Sequence, residues 1–216
     1  GNFQFAIDIY EQALPEFKKQ KGAPYYLTLL AYGESLVETG REKEGEARLL
    51  EAKEGLKEIN NLEYMHVAMG KLGKIYAETN RPELAEKALR ESFNYLLEMH
   101  STRFLPIAAT YLKFLNDNNA LNTSQEVISK VKEATANYKH RMNSQDELQF
   151  LLQARETYTR TGNFETALRL FTRIDFLKDS INEAVDDVKI KQLEEMYQNE
   201  IQRERNKVLS QNNAIL

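Results

Sequence analysis

Apolar residues recur along this chain at spacings of three and four. Leu29, Tyr32, Gly33 and Leu36 form one such set, Met69, Leu72, Gly73 and Tyr76 a second, and Leu151, Ala154 and Tyr158 a third. Each set lays an apolar stripe along one face of a helix, with polar residues on the other side. Four residues after each set comes a residue that tolerates a left-handed backbone: Gly40, Asn80 and Gly162. A second stripe then begins. It carries a small residue five positions past the turn (Gly45, Ala85, Ala167) and a large apolar one four further on (Leu49, Leu89, Phe171). The chain opens on this second half alone: Gly1, Ala6 and Tyr10 keep the spacing, and GNFQFA at 1–6 parallels GNFETA at 162–167.

Gly1, Gly40 and Asn80 stand 39 and 40 residues apart, and the 82 residues from Asn80 to Gly162 leave room for two more units. The pattern therefore predicts a helix, a short turn and a second helix, repeated with a period near 40. Gly33 and Gly73 on the first helix, and Ala6, Gly45, Ala85 and Ala167 on the second, let facing helices approach closely. The third unit is less regular. A helix over 101–116 carries Phe104, Ile107, Ala108, Tyr111 and Leu115, and Thr123 with Glu126 reads as a capping box opening the next helix after the turn DNNALN. Its register stays open, because Tyr111 and Phe114 both suit the aromatic position before the turn. Since a second helix alone leaves part of its apolar face without a partner, residues 1–20 are expected to be the remnant of a longer array.

The repeat pattern does not return after about Ile174. From Ser180 onward there is neither Gly nor Pro. Either Ser180 and Glu183 cap a new helix or the preceding one runs on. Ile190, Leu193, Tyr197 and Ile201 keep a 3–4 spacing before Glu204 and Lys207 dilute the stripe. A helix this polar is not stable alone; it packs on the repeats or pairs with a second chain, and a homodimeric coiled coil is the expectation taken. The domains read from the pattern are residues 1–178, the repeat array, and 179–216, a long charged helix.

Composition narrows the function. The 216 residues carry 29 Lys+Arg against 33 Asp+Glu, a net charge of −4. That balance lacks the basic face of a nucleic-acid binder. There is no cysteine, so disulfides, thiolate catalysis and Cys-based zinc sites are excluded. No apolar run approaches the ~18 residues of a membrane span. His66, His100 and His140 have no metal-type partner at i+3 or i+4. MGKLGKIY lacks the spacing of a phosphate loop, and Ser35 lacks the second glycine of a nucleophile elbow. Glu194/Glu195 and Asp186/Asp187 are sequence neighbours about 100° apart on a helix and make no acid–base pair. The expectation is a chain without catalysis, cofactor or metal.

The residues Gly73, Tyr76, Asn80 and Ala85, and Tyr158, Gly162, Phe164, Ala167 and Phe171, resemble the fingerprint of the tetratricopeptide repeat (TPR). Departures are Asn80 in place of the turn glycine and Leu89 in place of the aromatic in the first set, Arg155 at a small-residue position in the second, and a period longer than the usual ~34. The resemblance implies an all-α fold: a right-handed superhelical solenoid of antiparallel helix pairs, ending here in a long C-terminal helix. It also implies a protein or peptide in the concave groove lined by first helices. By register, Glu34, Glu38, Lys74, Glu78, Glu156 and Arg160 face that groove, with Leu30, Gly70 and Leu152 one turn earlier. The lysine and asparagine carboxylate clamp of chaperone-binding members is absent from those slots, and a mildly acidic groove suits a polar or basic peptide.

The last segment is similar to the linker of Bacteroidetes-type TPR sensor proteins, on Asp179, Ser180, Leu193, Glu194, Tyr197, Glu200 and Leu209. This implies a sensory module transmitting through a coiled-coil helix to an output domain outside these residues, a histidine kinase or a helix-turn-helix regulator. Attached to a membrane kinase, the array would be periplasmic; otherwise it would be cytoplasmic. The alternative is a free-standing TPR scaffold for protein–protein assembly whose last helix caps the solenoid.

Overall fold

A computed structural model gives the structure of the protein; it describes residues 2–136 and 143–213, and beyond residue 186 only some of the side chains. Among the described residues every regular element is a helix: α1 (Phe3–Phe17), α2 (Ala23–Glu38), α3 (Glu42–Glu58), α4 (Leu62–Glu78), α5 (Pro82–Glu98), α6 (Phe104–Asp117), α7 (Leu121–Ala136), α8 (Ser144–Arg160) and α9 (Phe164–Asn213). They pack as sequential antiparallel pairs in a TPR-like solenoid that ends in the longer α9.

One turn is used again and again. Gly40, Asn60, Asn80, His100, Asn119 and Gly162 each follow a helix with positive φ, between 52° and 80°. In every case the next residue donates its N–H five residues back: Arg41 to the Leu36 carbonyl, Asn61 to Leu56, Arg81 to Tyr76, Ser101 to Leu96, Ala120 to Leu115 and Asn163 to Tyr158, at 2.8 to 3.0 Å. This is the Schellman arrangement, which satisfies carbonyls that a helix end would leave bare. A left-handed residue costs ~1–2 kcal/mol unless it is Gly, or Asn with its short polar side chain, which is why those two occupy five of the six positions. Where the following residue is Asn, its side chain caps the next helix: Asn61 Oδ1 accepts from the Tyr64 N–H and Asn163 Oδ1 from the Thr166 N–H.

Two sequence expectations shift, and one open alternative is decided. α7 begins at Leu121, so Thr123 lies inside its first turn rather than capping it, and the Ser124 N–H is taken by the Ala120 carbonyl at 3.0 Å. The left-handed residue of the third unit is Asn119, so Leu115, not Tyr111 or Phe114, holds the position before the turn. Of the two readings at Ser180, the run-on helix holds: α9 continues unbroken over 50 residues.

The pairs close through small residues. A Cβ on Gly45 of α3 would lie 2.7 Å from the Gly33 carbonyl oxygen of α2 and 2.6 Å from Val37 Cγ2, so the two backbones touch where both side chains are hydrogen. Gly73 likewise receives Leu89, whose Cγ would sit 2.7 Å from an added Cβ. Around these contacts one apolar core runs from α2 to α8, through Leu29, Leu56, Leu72, Leu89, Phe93, Leu112 and Phe150. Each such side chain contributes about 1.5–3 kcal/mol by leaving water.

The chain separates into two compact units, Gly1–Leu170 and Phe171–Leu216. In the second, Ile174 and Leu177 are buried, Phe176, Val185 and Val188 are exposed, and the Arg173 guanidinium lies 5.3 Å over the Phe176 ring. The side chains of Ile190, Leu193, Tyr197 and Ile201, proposed as a pairing seam, lie outside the described residues, as does His140.

Candidate functional site

Within the first unit, α2, α4, α6 and α8 present one face each to a groove of about 720 Å³. The apolar part comes from Val37, Gly70, Ile75, Ile107, Ala109 and Phe114, with Phe3 of α1 at the edge. Gly70 also closes the packing of α4 on α6: a Cβ there would stand 2.5 Å from Ile107 Cδ1.

The polar part is a ladder of charges. Lys71 pairs with Glu34, Lys74 Nζ with Glu38 Oε1 at 2.7 Å, and Lys113 Nζ with Asp117 Oδ2 at 2.8 Å. The first two pairs bridge α2 to α4. Exposed pairs of this kind contribute at most about 1 kcal/mol each, so they set the charge of the groove more than its stability. Burial works against the Lys74 ammonium, yet the Glu38 hydrogen bond and the charges of Glu38, Glu78 and Glu34 hold its pKa above the ordinary value. Glu78 and Asp146 also line the groove and have no ion-pair partner within 4 Å among the described residues. Asp146 sits in the first turn of α8 because Asn143 caps that helix, its Oδ1 accepting from the N–H groups of Gln145 (2.8 Å) and Asp146 (3.2 Å). Burial pushes the Asp146 carboxyl above its usual range, against the opposing influence of Lys71.

Glu34, Glu38, Lys74 and Glu78 thus lie in the groove, and Glu156 and Arg160 do not. Glu156 points to solvent. Arg160 reaches across to the α6–α7 turn, donating to the Asn116 carbonyl and, at 2.9 Å, to Asn119 Oδ1. From α8 it is Gln145, Asp146, Gln149 and Gln153 that line the groove instead. Leu30 belongs to the core, and Leu152 is half-buried. Lys71, Lys113, Asp117 and the α8 set are absent from the register-based expectation. Asp117 had a readable signal: it stands two residues before Asn119, as Glu38 stands before Gly40 and Glu78 before Asn80.

The histidines do other work. His66 stacks on Tyr95 with ring centroids 3.9 Å apart, its buried Nδ1 has no hydrogen-bond partner among the described residues, and burial lowers its pKa, so the neutral ring is favoured. His100 forms the left-handed turn after α5. Among the described residues no group of three or more His, Asp or Glu side chains is arranged to hold a metal ion. None of their helices is long and apolar enough to cross a membrane.

No protein-family model matches the sequence, and no curated protein matches it significantly. Solved structures do. BtubC (BKLC) from P. vanneervenii superposes with a TM-score of 0.66 at 17% identity, over 84% of this chain and 75% of its own. A kinesin light chain of nearly identical TPR-like repeats from Podosopora anserina gives 0.59 at 12% identity, over 82% of this chain and 88% of its own. The fold is TPR-like. A Rap protein complexed with Competence and Sporulation Factor gives 0.61 at 12% identity, over 84% of this chain and 60% of Rap.

Proposed function

We propose that this TPR-like chain is a non-catalytic interaction scaffold whose groove receives an extended, polar segment of a protein or peptide carrying Lys or Arg. The observation that carries this reading is the charge ladder. Three lysines in the groove are each matched by a carboxylate, and Glu78 and Asp146 remain in excess. A volume of about 720 Å³ is in the range of a small-ligand site and takes a few side chains rather than a folded domain. Charge complementarity then selects cationic side chains and speeds their encounter. That a similar fold in Rap is complexed with Competence and Sporulation Factor supports the choice of a bound factor over a purely structural role.

A labelled peptide library, identical but for Lys or Glu at fixed positions, tests this by fluorescence anisotropy. Lys-bearing members bind, and binding weakens with salt. The double reversal Glu78→Lys/Asp146→Lys weakens them by about tenfold or more, equivalent to ~1.4 kcal/mol. Equal binding of Lys and Glu members, unchanged by the reversal, sinks the proposal.

A second reading draws on the unbroken 50-residue α9. Here the scaffold is a sensor, and α9 passes its state to an output domain of a bacterial signalling protein, periplasmic beside a membrane kinase or cytoplasmic beside a DNA-binding domain. Cysteines placed along residues 190–209 and crosslinked with and without a binding peptide decide it: an identical pattern in both states removes transmission and leaves the scaffold.

A further inference from the structure

Charge does not describe the α8 side of the groove. On α2, α4 and α6, Glu78 apart, the polar side chains that line it already have partners within the chain. The lysines are paired with carboxylates, Thr110 Oγ1 donates to the Pro106 carbonyl at 3.0 Å, and Asn118 Nδ2 donates to the Phe114 carbonyl at 2.8 Å. On α8 the arrangement is reversed. Gln145, Gln149 and Gln153 line the groove, and their side-chain amides make no hydrogen bond to any described residue. Gln153 contributes through its backbone carbonyl, which accepts from Asn116 Nδ2 at 3.1 Å. The helix that carries this row is anchored: Phe150 and Ala154 belong to the core, while Gln145 and Gln149 are exposed.

The spacing of the three amides has a counterpart in an extended chain. Residues four apart on a helix share a face and stand about 6 Å apart along its axis. In a strand, every second residue turns its N–H and C=O to the same edge, at a repeat of about 6.6–6.8 Å. Over three glutamines the difference grows to less than about 2 Å, which rotation about the side-chain bonds takes up. A primary amide both donates and accepts, so one glutamine can meet the N–H and the C=O of a single residue. We propose that Gln145, Gln149 and Gln153 form a ladder that holds the backbone of an extended polypeptide segment, one glutamine to every second residue. This rests on the reading of the groove as a site for a cationic segment, and deepens it. α8 holds the main chain, and Glu78 and Asp146 select the Lys or Arg side chains it carries. A helical ligand does not fit, because its backbone groups are spent on one another.

The test is an N-methyl scan of the tightest Lys-bearing peptide in the library. Each methyl removes one backbone donor and leaves side chains and charge in place. Affinity should fall about tenfold or more at alternate positions, equivalent to ~1.4 kcal/mol, and far less at the positions between. Gln149→Leu keeps the bulk of an exposed side chain and removes its hydrogen bonds; an unchanged melting point checks that the fold is intact. It should weaken the unmethylated peptide about three- to tenfold and cancel the methylation penalty at one alternate position only, with the salt dependence unmoved. Losses without alternation overturn the ladder, as does a methylation profile that Gln149→Leu leaves as it was. If the peptide in that case still loses affinity with Glu78→Lys/Asp146→Lys, the charge reading stands without the ladder. If no Lys-bearing peptide binds, both fall.

Discussion

Asn116 has the densest polar environment in the core. It is 2% exposed; its Oδ1 accepts from the hydroxyls of Thr157 (2.9 Å) and Ser124 (3.2 Å), and its Nδ2 donates to the Gln153 carbonyl at 3.1 Å. One side chain thereby ties α6 to α7 and α8. Asn116→Ala should cost about 2–3 kcal/mol, as expected when buried donors and acceptors lose their partner, measured by urea titration. Gly45→Ala should cost about 1–3 kcal/mol, because overpacking drives α2 and α3 apart. The same assay checks it, and an unchanged midpoint would mean that the backbones separate freely. The two residues differ in how visible they are beforehand. Gly45 announces itself by recurring at the Ala85 and Ala167 position. Asn116 is one polar residue among NDNN, and nothing local tells a buried amide from a solvated turn.

At the scale of elements the turns set the order. Asn80→Gly should be near neutral, since glycine accepts the left-handed backbone, whereas Asn80→Ala should lose ~1–2 kcal/mol, the cost of putting a Cβ there. Thermal unfolding of the two variants side by side separates conformation from lost contacts. Arg81, the next residue, adds a link between helices. Its two Nη atoms meet both Glu46 oxygens at 2.7 Å, and its guanidinium lies 4.5 Å over the Tyr76 ring. The Arg81 hydrogen bond holds the Glu46 carboxyl below its ordinary pKa, more than burial raises it. A lowered folded-state pKa means the stabilisation is present above the unfolded value and is lost as pH falls through the folded one. Glu46→Gln should therefore flatten the acid side of a stability–pH profile and leave its basic side parallel to the parent. Gly40, Asn80 and Gly162 were legible as turns because glycine and asparagine mark left-handed positions. His100 was not, since its residue type carries no such mark, and missing Asn119 left the register of α6 open.

For the repeat unit taken whole, the proposed binding of a cationic segment in the groove should depend on pH. Asp146 holds its proton to a higher pH than an ordinary aspartate. A cationic peptide needs it ionised. On acidification, affinity should fall as pH passes through this raised pKa, and Asp146→Asn should remove that contribution to the pH dependence while weakening binding at neutral pH. Anisotropy titrations across pH with one Lys-bearing peptide check this. The groove was half legible. On α2 and α4 the register from the turns located Glu34, Glu38, Lys74 and Glu78. On α8 the same register named Glu156 and Arg160, but the groove meets that helix nearer its N-terminus, at Asp146 and Gln149, and Arg160 is committed to the α6–α7 turn. Periodicity tells which way a side chain points and not how far along a helix its neighbours extend.

The turn spacing has a further consequence, for change in length. Leu36, Leu56, Tyr76 and Leu96 each close a turn, and they fall 20 residues apart. One residue inserted inside a helix rotates all that follows by about 100° and breaks the seams on both sides. Copying a stretch from one turn residue to its counterpart two turns later, as from Gly40 to Asn80, lays down a helix pair whose edges already fit. Such a molecule grows or shrinks by whole pairs, and point insertions are confined to the few residues of its connections.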